Sequence, residues 1–166
     1  MRYSLVPLGR TAFRSAEVFT RDPLIYVYDL TKNSGDNGFE RKITASDGAE
    51  LDRFGRSVQI NGTTLVVGAF LDDDKGENSG SVYVYDLTKN SGDEGFERKI
   101  TASDGAANDV FGLKIAMFGN TVAVGASRKD DYKGAVYVYD LNKTPGEDGF
   151  ERIITASDGN SLDYFG

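Results

Sequence analysis

Tyr83-Val84-Tyr85-Asp86-Leu87 is the stretch that decides the fold, because it occurs three times in one chain of 166 residues. The same five residues stand at 26–30 and at 137–141, so the spacings are 57 and 54 residues. Self-similarity at a fixed period of this length is typical of a repeat architecture. The chain is therefore interpreted as a repeat of about 56 residues.

Each copy continues in the same order to a Phe-Gly pair. A Gly-Phe-Glu-Arg segment and an Ile-Thr-Ala-Ser-Asp-Gly segment follow, and the Phe stands 28 residues after the first Tyr in all three copies. The first two copies differ at one of the 23 positions from Tyr26 to Gly48, where Asn37 is matched by Glu94. This identity indicates a recent duplication.

One full unit is predicted to contain four strands. They run from Phe54 to Ile60, Thr64 to Phe70, Ser81 to Leu87 and Phe96 to Ala102. Asn61-Gly62 predicts a hairpin between the first two strands, since both residues tolerate positive φ. The fourth strand alternates apolar with charged residues, which is how an exposed edge strand avoids pairing with other chains.

The third strand indicates that both faces of the sheet are covered. Alternation places Val82 and Val84 on one face and Tyr83 and Tyr85 on the other. The tyrosines here and at 137 and 139 are expected to pack between neighbouring sheets, with stacking on sugars as the alternative. The predicted fold is therefore all-β, made of β-propeller blades of four antiparallel strands. The count gives an incomplete propeller, about two full blades and a partial one.

The residues after the Phe-Gly pair carry a family resemblance. One unit contains Phe54-Gly55, then Gly68-Ala69 after two valines; the next contains Phe111-Gly112, then Gly125-Ala126 after Val124. This order resembles the FG-GAP repeat of integrin α chains and their microbial relatives, over about residues 24–166. The resemblance implies a seven-bladed propeller for extracellular adhesion and ligand binding, with calcium in many blades.

The repeat divides the chain into five segments. Residues 1–23 are a non-repeat segment or a degenerate half-blade, and residues 24–53 are a partial blade with its third and fourth strands. Residues 54–110 and 111–164 are blades, and residues 165–166 begin a further unit. Propellers typically need four to eight blades to close. Neighbouring blades are therefore expected from a longer protein or from a homo-oligomer.

Composition excludes several classes of function. The net charge of −7 and the acidic pI of about 4.6 disfavour nucleic acids and anionic membranes. No apolar run approaches the 18 residues of a membrane span, and no signal peptide is visible. Without Cys or His, the chain lacks thiolate nucleophiles and every Ser-His mechanism. We therefore expect no enzyme, no catalytic residue and no cofactor.

The calcium implied by the resemblance is not expected here. The turns that would carry it are Asn61-Gly62-Thr63 and Phe118-Gly119-Asn120, which lack the several oxygen ligands that calcium needs. The densest acidic cluster is Asp72-Asp73-Asp74 with Glu77, for which a solvated loop is favoured over a weak cation site.

Two other sets of aspartates recur once per unit. Asp52, Asp109 and Asp163 stand two residues before Phe-Gly, and Asp47, Asp104 and Asp158 open Asp-Gly turns. Carboxylates in such places commonly accept hydrogen bonds from backbone N–H groups. Catalytic pairs are rarely duplicated in every repeat, so a structural role is favoured.

The leading hypothesis is a non-enzymatic binding or adhesion scaffold whose loops meet a protein or glycan partner. By family resemblance it would lie outside the cell or at the cell surface. One alternative is a purely structural repeat module without a ligand. Another is a fragment of a larger propeller enzyme.

Overall fold

The computed structural model describes residues 3–8, 12–18, 24–29, 39–89, 96–147 and 150–166. These residues form three separate four-stranded sheets, each antiparallel throughout and each joining strands in chain order. They contain no regular α-helix: Lys129–Tyr132 form a single turn in which Asp130, Asp131 and Tyr132 have positive φ values of 50°, 57° and 65°. The prediction of an all-β fold built from four-stranded blades is confirmed.

The twelve strands are divided equally among the sheets. The first sheet contains β1 (Tyr3–Leu8), β2 (Ala12–Val18), β3 (Leu24–Asp29) and β4 (Phe39–Thr44). The second contains β5 (Ser57–Asn61), β6 (Thr64–Ala69), β7 (Ser81–Asp86) and β8 (Phe96–Ile100). The third contains β9 (Lys114–Phe118), β10 (Thr121–Ala126), β11 (Ala135–Asp140) and β12 (Glu151–Ile154).

The first sheet is completed by residues that do not repeat in sequence. β2 pairs with β3 so that Val18 lies opposite Ile25, the register that Gly68 and Val82 have in the second sheet. Strand pairing needs only backbone N–H and C=O groups. A segment with different side chains, Pro7 among them, therefore takes the place of the first half of a unit.

The predicted first strand of the unit begins later than expected. β5 begins at Ser57 and not at Phe54, because Gly55 has a φ of 87°, outside the extended region. The predicted hairpin is present: Gly62 has a φ of 59° and Asn61 pairs with Thr64.

Two apolar layers lie between the three sheets. Tyr83 and Tyr85 of β7 belong to the layer shared with the first sheet, whereas Val82 and Val84 belong to the layer shared with the third. Phe54 and Phe111 each contact the two tyrosines of the third strand in their own unit edge to face. The ring centroids of Phe54 and Tyr83, and those of the equivalent pair in the next unit, are 5.3 Å apart. Strand alternation thus gives each sheet one tyrosine face and one valine face.

The sheets are packed side by side with their first strands together. β5 contacts both β1 and β9, so the first strands are innermost and the fourth strands outermost. At the outer edge, Arg41 donates to the carbonyl oxygen of Lys89 at 2.8 Å, and Arg98 donates to that of Lys143 at 2.7 Å. Each arginine therefore connects its own sheet to the next one.

The repeated glycine before alanine marks the closest approach of two sheets. A Cβ atom at Gly68 would collide with the carbonyl oxygen of Gly112, which also accepts a hydrogen bond from Ser57 Oγ at 2.6 Å. Gly112 N in turn donates to Gly125 O at 3.0 Å. Gly68 is thus required by packing between units. No described helix is long and apolar enough to cross a bilayer.

Candidate functional site at the loop end of the sheets

The loops between second and third strands and the Asp-Gly turns lie together at one end of the sheets. There Lys99 of β8 is surrounded by three carboxylates. Its Nζ lies 2.9 Å from an oxygen of Asp47, 2.9 Å from one of Asp72 and 2.7 Å from one of Asp74. It also lies 5.2 Å from the ring centroid of Tyr83. We call these five residues the first junction network, because Asp47 follows the first sheet and the others belong to the second.

Asp72 is the most deeply placed carboxylate of this network. Its side chain is only 4% exposed, and Oδ1 accepts hydrogen bonds from Ser81 Oγ at 2.9 Å and Asp74 N at 3.1 Å. The Tyr83 hydroxyl lies 2.8 Å from Asp47 Oδ1 and 3.1 Å from Asp72 Oδ2. A buried charge is tolerated when it is paired and hydrogen-bonded in this way.

The surroundings shift the pKa values of Asp47 and Lys99 toward the charged forms and that of Tyr83 toward the neutral form. Burial alone would raise the pKa of Asp47, but hydrogen bonds from Lys99 and Tyr83 lower it below the ordinary 3.8. Burial alone would lower the pKa of Lys99, but its hydrogen bonds to the three carboxylates raise it above 10.5. Burial and the hydrogen bond to Asp47 both raise the pKa of Tyr83. None of these groups is suited to exchange protons near neutral pH.

A second junction network joins the second and third sheets. Lys129 Nζ lies 3.2 Å from Asp104 Oδ2 and 3.5 Å from Asp109 Oδ2, and the Tyr137 hydroxyl donates to Asp104 Oδ1. Burial alone would raise the pKa of Asp104, but the hydrogen bonds from Tyr137 and Lys129 lower it. The aspartate of the Asp-Gly turn and the tyrosine of the third strand are thus the same in both networks.

The cation of the second network comes from a different position. In the second sheet, the backbone oxygen of Asp72 accepts a hydrogen bond from Gly80 N at 2.8 Å. In the third sheet, the backbone oxygen of Lys129 accepts the equivalent hydrogen bond from Gly134 N at 3.0 Å. Lys129 therefore corresponds to Asp72. Lys99 pairs with Tyr83 across the sheet, and Ile153 pairs with Tyr137, so Ile153 corresponds to Lys99. The lysine has moved from the fourth strand to the loop.

Three of the four candidate cation ligands are engaged in other contacts, and the fourth is exposed. Asp72 and Asp74 bind Lys99, Asp73 Oδ1 accepts from Asn78 N at 2.7 Å, and Glu77 is exposed. Within the described residues, no group of three or more His, Cys, Asp and Glu side chains is arranged to hold a metal ion. The arrangement does not fit calcium, because an ammonium group already lies among the carboxylates that would coordinate it.

The aspartates two residues before Phe-Gly lie in turns. Each accepts a hydrogen bond from the backbone N–H three residues earlier: Asp52 from Ala49 at 2.6 Å and Asp109 from Ala106 at 2.9 Å. Asp163 does the same with Asn160 at 2.7 Å. The residue that follows each of these aspartates has a positive φ, which turns the chain into the Phe-Gly pair.

Two exposed tyrosines were not singled out by sequence. Tyr132, in the loop before β11, is 39% exposed, and Tyr164 is 48% exposed. Their ring centroids are 5.4 Å apart with a 55° angle between the rings, and Leu162, which is 62% exposed, stands two residues before Tyr164. The tyrosines that sequence did single out, such as Tyr83, are buried. We call Tyr132, Leu162 and Tyr164 the aromatic patch.

The aromatic patch is specific to one unit. Tyr164 N donates to Tyr132 O at 2.8 Å, and Val110 N donates to Asn78 O at 3.1 Å, so these pairs are equivalent. The earlier unit therefore has Asn78, Asn108 and Val110 where the later one has the patch. The only sequence signal was this divergence within otherwise matching segments.

Two stretches of the chain match a known family model. The model of the FG-GAP repeat matches residues 38–85 and 95–139, which is more than half of the chain. Among solved structures, the computationally designed Ika8 protein is 14% identical, with a TM-score of 0.47 over 84% of this chain. The designed Ika4 protein is 18% identical, with a TM-score of 0.46 over 96% of this chain and 76% of its own. The chain spans about a third of the length of Ika8. No curated protein matches the sequence.

Proposed function

The chain belongs to the FG-GAP repeat family, and we propose that it is a non-enzymatic scaffold whose propeller blades present loops to a protein or glycan partner. The family match supports a β-propeller module. A location outside the cell or at its surface, and a role in adhesion, are parts of the proposal that rest on the family resemblance alone.

One observation carries the proposal: loops of different sequence leave equivalent positions on four-stranded sheets of the same topology. The loop of residues 71–80 holds four acidic residues, whereas residues 127–134 are shorter and hold three basic ones. Both loops leave and re-enter their sheets at matching positions, since Ala69 pairs with Ser81 and Ala126 with Ala135. Variable loops on a rigid frame are the usual location of binding residues.

The aromatic patch supports a contact surface at this end. Tyrosine combines a large apolar ring with a hydroxyl and is common at binding interfaces. Tyr132 has a φ of 65° and Tyr164 a φ of 52°, conformations that non-glycine residues rarely adopt. Asn78 and Val110, at the equivalent positions of the earlier unit, have φ of 55° and 54°, so this conformation belongs to the repeat, and the exposure of the two rings is what supports the patch. We infer that Tyr132 and Tyr164 contribute to partner binding.

The nearby carboxylates support binding in preference to acid–base chemistry. Asp47 and Asp104 are held by lysine and tyrosine, and Asp52 and Asp109 by backbone N–H groups. Side chains committed to such bonds position the loops and have little freedom to act on a substrate. The alternative, a purely structural module, is favoured only by the near identity of the first two copies.

Binding to arrays of immobilised glycans and secreted matrix proteins tests the proposal. We expect the labelled chain to bind at least one class of probe, and the Tyr132→Ala/Tyr164→Ala variant to bind at least tenfold more weakly. Phe118→Ala is the matched control, because Phe118 is 89% exposed at the opposite end of the sheet. Unchanged binding by the double variant would exclude the patch. Binding to no probe would favour the structural module.

A further inference from the structure

The valine face of the third sheet is open, although the same face of the second sheet is buried. Val82 and Val84 are fully or nearly fully buried against the third sheet, whereas Val136 and Val138 are only half-buried. Ile100 is 4% exposed, but Ile154 at the equivalent place is 37% exposed. We call Val136, Val138 and Ile154 the open face. It repeats, residue for residue, a surface that binds another sheet inside the same chain.

The Phe-Gly pair that begins a further unit is already docked beside the open face. Phe165 N donates to Lys133 O at 3.0 Å, as Phe111 N donates to Ser79 O at 3.0 Å. A Cβ atom at Gly125 would collide with Gly166 O, as one at Gly68 would collide with Gly112 O. The backbone that receives the next sheet is therefore formed.

We propose that the open face binds the tyrosine face of the first sheet in a second copy of the chain. That face carries Tyr26 and Tyr28, which correspond to Tyr83 and Tyr85 because Tyr26 pairs with Lys42 as Tyr83 pairs with Lys99. Phe165 of one copy then lies where Phe54 lies in the second unit, edge-on to two tyrosines. The contact continues the packing of the two internal interfaces.

Charges at the two surfaces are complementary in the same way as at the first junction. Asp158 opens the last Asp-Gly turn and is exposed, as its counterpart Asp47 opens the first. Lys42 Nζ lies 5.3 Å from the ring centroid of Tyr26, and Lys99 Nζ lies 5.2 Å from that of Tyr83. Asp158 of one copy therefore pairs with Lys42 and Tyr26 of the second.

The association is head to tail, so each copy uses two different surfaces. Such an interface forms a ring if the rotation closes. Two copies together carry six four-stranded sheets, within the range of four to eight blades that closed propellers have. A closed pair of this 166-residue chain would have about twice the chain mass of 18.0 kDa.

Sedimentation equilibrium of the 166-residue chain over a range of concentrations tests the proposal. The expected result is a monomer–dimer equilibrium or a stable dimer. Val138→Asp should weaken the association at least tenfold, because it places a charge on the open face. Phe118→Asp, with the same charge at the exposed tip between β9 and β10, should leave it unchanged. A strict monomer at all concentrations would overturn the proposal, as would equal association by the Val138→Asp variant.

A charge exchange at two exposed residues tests the partner surface without risk to the fold. Asp158→Lys and Lys42→Asp should each weaken self-association, because like charges then meet at the interface. An equimolar mixture of the two variants should associate as the unmodified chain does, since each tail then meets a head of opposite charge. If the mixture remained as weak as the single variants, the first sheet would not be the partner.

Discussion

Lys129 occupies in the third sheet the backbone position that Asp72 occupies in the second, and each charge is neutralised by a different set of neighbours. Asp72 binds Lys99 of β8, whereas Lys129 binds Asp104 and Asp109, and Ile153 replaces the lysine of the strand. Ser81, which donates to Asp72, is likewise replaced by Ala135. The lysine of the junction is thus moved from the fourth strand to the loop, and each junction keeps one lysine among its carboxylates.

Acid should remove the stability that ionised Asp47 contributes to the folded chain. Asp47 has a lowered pKa in the folded chain, so its contribution to stability is fully present above 3.8 and is lost as pH falls through the lowered value. Lys99→Met removes the main partner and therefore this contribution. The difference in unfolding free energy between the two chains should be largest near pH 7 and decrease below pH 3.8. Urea unfolding at several pH values measures it; a constant difference would contradict the assignment.

Calcium should leave the melting temperature of the chain unchanged. The ammonium of Lys99 lies within 2.9 Å of three carboxylates, so a divalent cation would have to displace it. We expect the same melting temperature in millimolar calcium and in chelator. A ligand present at about 100 times its Kd stabilises a folded protein by about 2.7 kcal/mol. A rise of several degrees with calcium would therefore show a site that the described residues do not account for.

The third prediction compares two equivalent glycines. Gly68→Ala places a Cβ against the backbone of Gly112, which is fixed between two sheets, and should cost about 2–3 kcal/mol of stability. Gly125→Ala places the same atom against Gly166, beside which no further sheet of the same copy lies among the described residues, so both glycine variants are made in the Val138→Asp background that weakens association. It should cost less, about 1 kcal/mol or below. Chemical denaturation measures both, and equal losses would argue against packing between units as the cause.

Local patterns were sufficient to predict the blade. The alternation of Val82, Tyr83 and Val84 and the hairpin at Asn61-Gly62 depend on residues close in sequence, and the structure has both. The junction networks depend on residues far apart, such as Asp47 and Lys99, which meet only once two sheets are packed. Sequence therefore identified the acidic loop but not the lysine that neutralises it.

Sequence left residues 1–23 as either a non-repeat segment or a degenerate half-blade for a related reason. β1 and β2 share no motif with the other units, and they are placed by backbone pairing with β3. The aromatic patch also lies outside any motif. Tyr132 and Tyr164 are brought together by a backbone hydrogen bond between loops 32 positions apart.

The exchange of charges between junctions is tested most directly by a double-mutant cycle in the second sheet. Asp72→Lys and Lys99→Ile should each destabilise the chain by about 2–3 kcal/mol, because each leaves buried charge without its partner. The double variant recreates the arrangement of the third sheet, in which Lys129 stands at the loop position and Ile153 at the strand position, and should recover most of the loss. The unfolding free energy of the double variant is measured in urea and compared with the unfolding free energies of both single variants. Recovery well beyond additivity is the result expected, and a double variant as unstable as the sum of the singles would contradict the account.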